Sequence, residues 1–133
     1  MELLNPDVLL FFSGHLEALP IYEALTAHIL RAWPGTAVRV GKTQISFYEK
    51  HMFACVSFAR VLRKSELPPA YLVLTLGLPE MLDSPRIAVR VEPYPGRWTH
   101  HIVLSSPEDL DGEMLGWLDR AHAFSQKKRN TRV

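Results

Sequence analysis

The chain has 133 residues, 47% of them hydrophobic and 22% charged, which are ordinary globular values and enough for one domain whose core needs neither a disulfide nor a structural metal. Its single cysteine, Cys55, excludes an intramolecular disulfide framework. The net charge of +1 and the longest apolar run, Val8 to Phe12, exclude a strongly basic nucleic-acid binder and a membrane-spanning helix of roughly 20 apolar residues.

The charge is unevenly laid out. Ten basic and five acidic residues lie between Leu30 and Leu104, whereas Glu108 to Asp119 holds five acids and no base. Lys127, Lys128, Arg129 and Arg132 make a basic tail. The N-terminus is acidic and soon meets Pro6, unlike the basic start of a signal peptide, so with one cysteine the cytoplasm is the expected compartment.

In chain order, Asn5-Pro6-Asp7 reads as a helix cap with proline at the first position, followed by a run from Val8 to Phe12 that suits a short helix or a buried strand. Glu17 to Trp33 is a clear helix. Tyr22, Leu25, Ile29 and Trp33 form one stripe, and Pro34-Gly35 ends it. The period then switches to two. Val38 and Val40 alternate with Arg39, and Ile45 and Phe47 alternate with Gln44, Ser46 and Tyr48. After a hairpin connection at 49–51, strands are expected over Met52–Val61, Tyr71–Leu78, from Ile87 to Glu92 and over Trp98–Leu104. Ser106-Pro107-Glu108-Asp109 reads as the capped start of a last helix whose stripe is Leu110, Met114, Trp117, Leu118, Ala121 and Phe124.

The expected architecture is therefore α+β, an antiparallel sheet of five to six strands in a meander with flanking N- and C-terminal helices. Residues 1–124 form the single domain and 125–133 a basic, frayed tail.

No catalytic signature stands out. Cys55 sits mid-strand, where a small buried hydrophobe belongs. His100 and His101 are adjacent on a strand and point to opposite faces, so they cannot chelate one metal together. The scattered glycines form no phosphate-binding loop, and no cofactor is called for. Asp109 and Glu113 share a helix face, but a solvated helix start explains them.

The most suggestive pattern is polar and strand-borne. Lys42, Gln44, Ser46 and Tyr48 point one way along one strand. Arg97, Thr99 and His101 share a face of the last strand, with Trp98 and His100 on the other. Arg86, Arg90 and Glu92 line the strand before it. If these faces coincide, Lys42, Gln44, Tyr48, Arg90, Arg97, Trp98, His100 and His101 make a basic, aromatic-edged patch for an anion, against the plain alternative of a solvated sheet face.

The segments Lys42–Tyr48, Phe53–Phe58 and Pro93–His101, followed by a C-terminal helix, resemble a bacterial family known as a domain of unknown function. The resemblance spans about Phe11 to Phe124. It implies a compact α+β accessory or recognition module and supplies no catalytic residue.

Three functions fit these residues. The leading one is a non-catalytic module binding an anionic small molecule or nucleic acid through Lys42, Tyr48, Arg97 and His101. The second is an enzyme using His100 or His101 as acid or base. The third is a homodimerisation or protein-interaction domain covering the doubly apolar strands.

Overall fold

The Asn5 side chain accepts a hydrogen bond from the Val8 N–H at 2.9 Å and Pro6 needs no partner for an N–H, so the first apolar run becomes helix α1 (Pro6–Phe11) rather than a strand. The computed structural model describes residues 5–127 of the chain, and the basic tail from Lys128 on lies outside the described residues. A 3-10 turn, Leu16–Ala18, leads into helix α2 (Leu19–Ala32), which starts two residues later than its pattern suggests and has Pro20 in its first turn. Ile21, Tyr22, Leu25 and Ile29 form its buried face.

Six strands follow: β1 (Ala37–Val40), β2 (Gln44–Tyr48), β3 (Met52–Ser57), β4 (Leu72–Leu78), β5 (Ile87–Tyr94) and β6 (Arg97–Leu104). The third strand ends four residues before Val61, because the Ser57 hydroxyl accepts from the Ala59 N–H and turns the chain away. A bulge between Phe47 and Tyr48 lets Phe53 turn toward the helices, where it packs on Trp33 and His122.

The fold is α+β with one six-stranded antiparallel sheet, ordered β1-β2-β3-β4-β6-β5. The first four strands form the expected meander. Beyond them β6 lies between β4 and β5, and both pair with it antiparallel. Burial explains the exchange. β6 buries His100, Ile102 and Leu104 and suits an interior place, whereas the outer half of β5 is exposed and suits an edge.

The exchange makes the 79–86 connection return along β4 and cross β6. Its Leu82 side chain enters the core, and its Leu82 N–H donates to His100 Nε2 at 2.9 Å. Arg90 Nη2 donates to the Ser84 carbonyl in the same connection at 3.0 Å.

The last helix, α3 (Gly112–Gln126), starts later than expected. Ser106-Pro107 opens only a 3-10 turn, Pro107–Asp109, and Ser106 makes no side-chain cap. The cap is Asp111, whose Oδ1 accepts from the Met114 N–H at 3.1 Å. Ser125 and Gln126 remain in the helix. Gln126 Oε1 accepts from the Lys50 N–H at 2.8 Å, and Gln126 Nε2 donates to the His51 carbonyl at 3.0 Å, which fastens the helix end to the β2–β3 turn.

One apolar cluster unites α1, α2 and α3 with Ile45, Phe47, Val56, Leu72, Leu74, Leu76, Leu78, Ile102 and Leu104. All three helices therefore cover the same side of the sheet. Val73 and Cys55 are buried but lie outside that cluster, on the other side. No helix among the described residues is long and apolar enough to cross a membrane.

Candidate functional site

Strand register decides which polar side chains share a face. Arg39 pairs with Ser46, Ser46 with Cys55, Cys55 with Thr75, Thr75 with His101, and His101 with Val89, giving one row across all six strands. Register partners project to the same side. Their neighbours one step along belong to the helix-covered core, so this row lies on the side the helices leave uncovered. Gln44 and Tyr48 flank Ser46 on that side, and Arg97 and Thr99 continue it along β6.

The uncovered face is organised by side-chain contacts. The Arg39 guanidinium stacks 4.2 Å over the Tyr48 ring. Gln44 Nε2 donates to the Ser46 hydroxyl at 2.8 Å. Thr75 Oγ1 lies 2.9 Å from His101 Nδ1. Arg97 folds over β4, where Gly77 leaves the backbone bare and lets the guanidinium lie against it. Where β3 and β4 stop pairing, a cavity of about 30 Å³, room for a single water, lies in the gap between Cys55, Thr75, Gly77 and Arg97 and is lined on its helix side by Ala121 and Ser125 of α3.

Electrostatically the face is positive. No register-paired position on this side holds a carboxylate. Among the described residues neither Arg39 nor Arg97 forms an ion pair. Burial holds the His101 imidazole below its usual pKa, so the ring is neutral near pH 7 and its hydrogen bond to Thr75 fixes its orientation. Burial also pushes the Cys55 thiol up, against a smaller downward pull from the Thr75 hydroxyl. Cys55 is thus a thiol rather than a thiolate and a poor nucleophile.

The structure divides the expected patch. Gln44, Tyr48, Arg97 and His101 share the uncovered face. Trp98, His100 and Arg90 do not, because Trp98 pairs with Leu78, His100 with Leu76 and Arg90 with His100, all on the core side. His100 is 0% exposed, and burial lowers its pKa. With Arg90 it hydrogen-bonds the backbone of the 79–86 connection, so both have structural partners there. Lys42 sits in the exposed β1–β2 turn, beside Asp7 and Phe11 rather than in the row. Arg39, Cys55 and Thr75 belong to the row although their residue types gave no reason to group them. The period-two alternation was the available signal for each, and only the register joins them.

Chemically this arrangement offers two guanidinium groups, hydroxyls, an amide and a neutral imidazole above a floor of short side chains. It suits hydrogen bonding and charge pairing. Among the described residues no three His, Cys, Asp or Glu side chains are grouped to hold a metal ion.

The family described as Domain of unknown function (DUF5655) matches residues 10–125, nearly the whole chain. No curated protein matches the chain, and no solved structure does. The chain belongs to that family, which carries no assigned activity.

Proposed function

We propose that this member of the family is a non-catalytic module that binds a small anionic molecule on the uncovered face of its sheet. The observation that carries the reading is the absence of any carboxylate from the paired positions of that face, while Arg39 and Arg97 stand on it without ion-pair partners among the described residues. Unpaired guanidinium groups recognise phosphate or carboxylate in a geometry that lysine does not match. Ser46, Cys55 and Thr75 form a low floor between them, and Gln44 and Thr99 add polar edges.

A small molecule fits this face better than single-stranded nucleic acid. Strand-binding sheets offer bases several free aromatic faces, whereas the paired positions of this face carry two tyrosines, of which Tyr48 is already stacked by Arg39 and Tyr94 alone is exposed. An acid–base role for His101 is less well supported, since among the described residues no carboxylate hydrogen-bonds its ring to orient or charge it beside the Thr75 hydroxyl, and the Cys55 thiol is held protonated. A bacterial cytoplasm suits this reading, because it keeps the lone cysteine reduced.

The test is calorimetry and thermal shift at low salt with inorganic phosphate, pyrophosphate, nucleoside monophosphates, dicarboxylates and a short single-stranded oligonucleotide. Binding of a small anion that weakens with salt and is lost in both Arg39→Ala and Arg97→Ala supports the module. Absence of any anion binding, or binding indifferent to both substitutions, overturns it. Preferential binding of the oligonucleotide moves the reading to nucleic acid.

A further inference from the structure

The acidic stretch from Glu108 to Glu113 plays no part in the anion site. It borders a separate cleft of about 470 Å³ at the opposite end of the sheet edge, within the size range of small-molecule sites. The cleft exists because β6 runs past the start of β5. Ile102 is the partner of Ile87, and Val103 and Leu104 have no β5 residue beside them. The chain between β3 and β4 brings Leu62 and Pro68 over this gap.

The floor is apolar and belongs to the core: Ile87, Ile102 and Met114 reach it from β5, β6 and α3. The rim is charged, and its positive group is already engaged. Arg86 Nη1 donates to Asp111 at 2.9 Å and Glu113 at 3.0 Å, and Nη2 donates to the Asp109 carbonyl at 2.8 Å. Two carboxylates on the rim have no cationic partner among the described residues. Asp109 accepts only from the Ser105 N–H and hydroxyl through Oδ2, and Glu66 accepts only from the Arg63 N–H through Oε1. Each keeps an oxygen without a hydrogen bond among the described residues.

An apolar floor beneath two unpaired carboxylates, with the one arginine neutralised by two others, selects against anions and for a cation with an apolar body. We propose that this cleft binds a small primary amine, its ammonium between Glu66 and Asp109 and its hydrocarbon body on Ile87, Ile102 and Met114. An ammonium brings three donors to carboxylate oxygens that have none, and the body removes core-facing surface from water. The site is distinct in place and in charge from the anion face, and neither depends on the other.

Three probes of one shape and different charge test it: phenethylamine, 2-phenylethanol and phenylacetate, titrated into the full chain and followed by amide chemical shifts and calorimetry. The expected result is saturable binding of phenethylamine with shifts at Ile87, Val103 and Ser105, about tenfold weaker binding of the alcohol, and no binding of the acid. Glu66→Gln should weaken the amine about tenfold without changing the melting temperature. Ala88→Phe, which fills the cleft from a half-buried position on the edge strand, should abolish its binding. Equal binding of all three probes, no binding of the amine, or binding unchanged in both variants overturns the proposal. Asp109→Asn serves as a further variant, and loss of folding there leaves Glu66→Gln and Ala88→Phe to decide.

Discussion

The Arg97 guanidinium lies so close over Gly77 that a Cβ at position 77 would stand 2.5 Å from Nη2 and 2.6 Å from Cζ. Gly77 is a buried strand position with an ordinary backbone, so what its missing side chain provides is a seat for the guanidinium. The obstacle to a methyl group is the far end of a flexible side chain. Gly77→Ala is therefore expected to fold with stability within about 1 kcal/mol of the parent, since the lost chain entropy of glycine offsets the displaced contact. It should lose anion binding as Arg97→Ala does. Urea denaturation and calorimetry on the two variants check this, and an unchanged affinity in Gly77→Ala would separate Arg97 from the site.

His100 is expected to act on stability and not on ligand binding. His100→Leu keeps an apolar volume but removes the acceptor of the Leu82 N–H, leaving that buried donor unpaired at a cost of about 1–3 kcal/mol. Hydrogen exchange should accelerate most at the Leu82 amide, because the connection over β6 loses its tie. Anion affinity should not change.

Both His100 and His101 have folded-state pKa values below the ordinary 6.5, in each case chiefly through burial. Between the folded and unfolded pKa values the unfolded chain binds more protons, so stability rises with pH there. Their contribution is complete above about pH 6.5 and is lost as the pH falls below it. Thermal melts from pH 8 to pH 5 should show this fall, and the double variant His100→Leu/His101→Asn should show a shallower one.

Cys55 is 8% exposed and its thiol pKa is raised. Ellman's reagent should label it slowly in the native protein at pH 7.5 and rapidly in denaturant, with native labelling governed by opening of the sheet. Rapid native labelling would mean that the uncovered face exposes a reactive thiolate.

Asp111 serves twice, as the cap of α3 and as a partner of Arg86, whose hydrogen bond is the main cause holding the Asp111 carboxyl below its usual range. Asp111→Asn keeps an oxygen for the Met114 N–H and loses the charge, whereas Asp111→Ala loses both. The melting temperature should fall in both variants and further in Asp111→Ala, and added salt should narrow the gap between the parent and Asp111→Asn.

Much of the fold was legible in residue spacing because local physics decides it. Asn5-Pro6 caps α1, the Tyr22, Leu25 and Ile29 stripe specifies α2, and period-two alternation marks the strands of an α+β sheet. Local rules failed where a second nearby hydrogen bond competed with the first signal. Ser106-Pro107 has the signature of a helix start, but Asp111 caps the helix after one 3-10 turn, and the strand expected to reach Val61 stops at Ser57.

The site was legible by half, and the half that was missed has one cause. Alternation tells which residues of one strand share a side, so Arg97 and His101 were grouped, as were Gln44 and Tyr48. It cannot tell which side of one strand meets which side of another. That depends on strand order and register, which arise from burial summed over distant elements. The placement of β6 between β4 and β5 put His100 and Arg90 under the 79–86 connection and joined His101 to Thr75, Cys55, Ser46 and Arg39. The chain by itself determined an α+β domain with a locally basic, strand-rich centre. Only the tertiary structure decided that two arginines of that centre, Arg39 and Arg97, stand on one face whose paired positions hold no carboxylate, because strand order and register set which side of the sheet positions nearly sixty residues apart share.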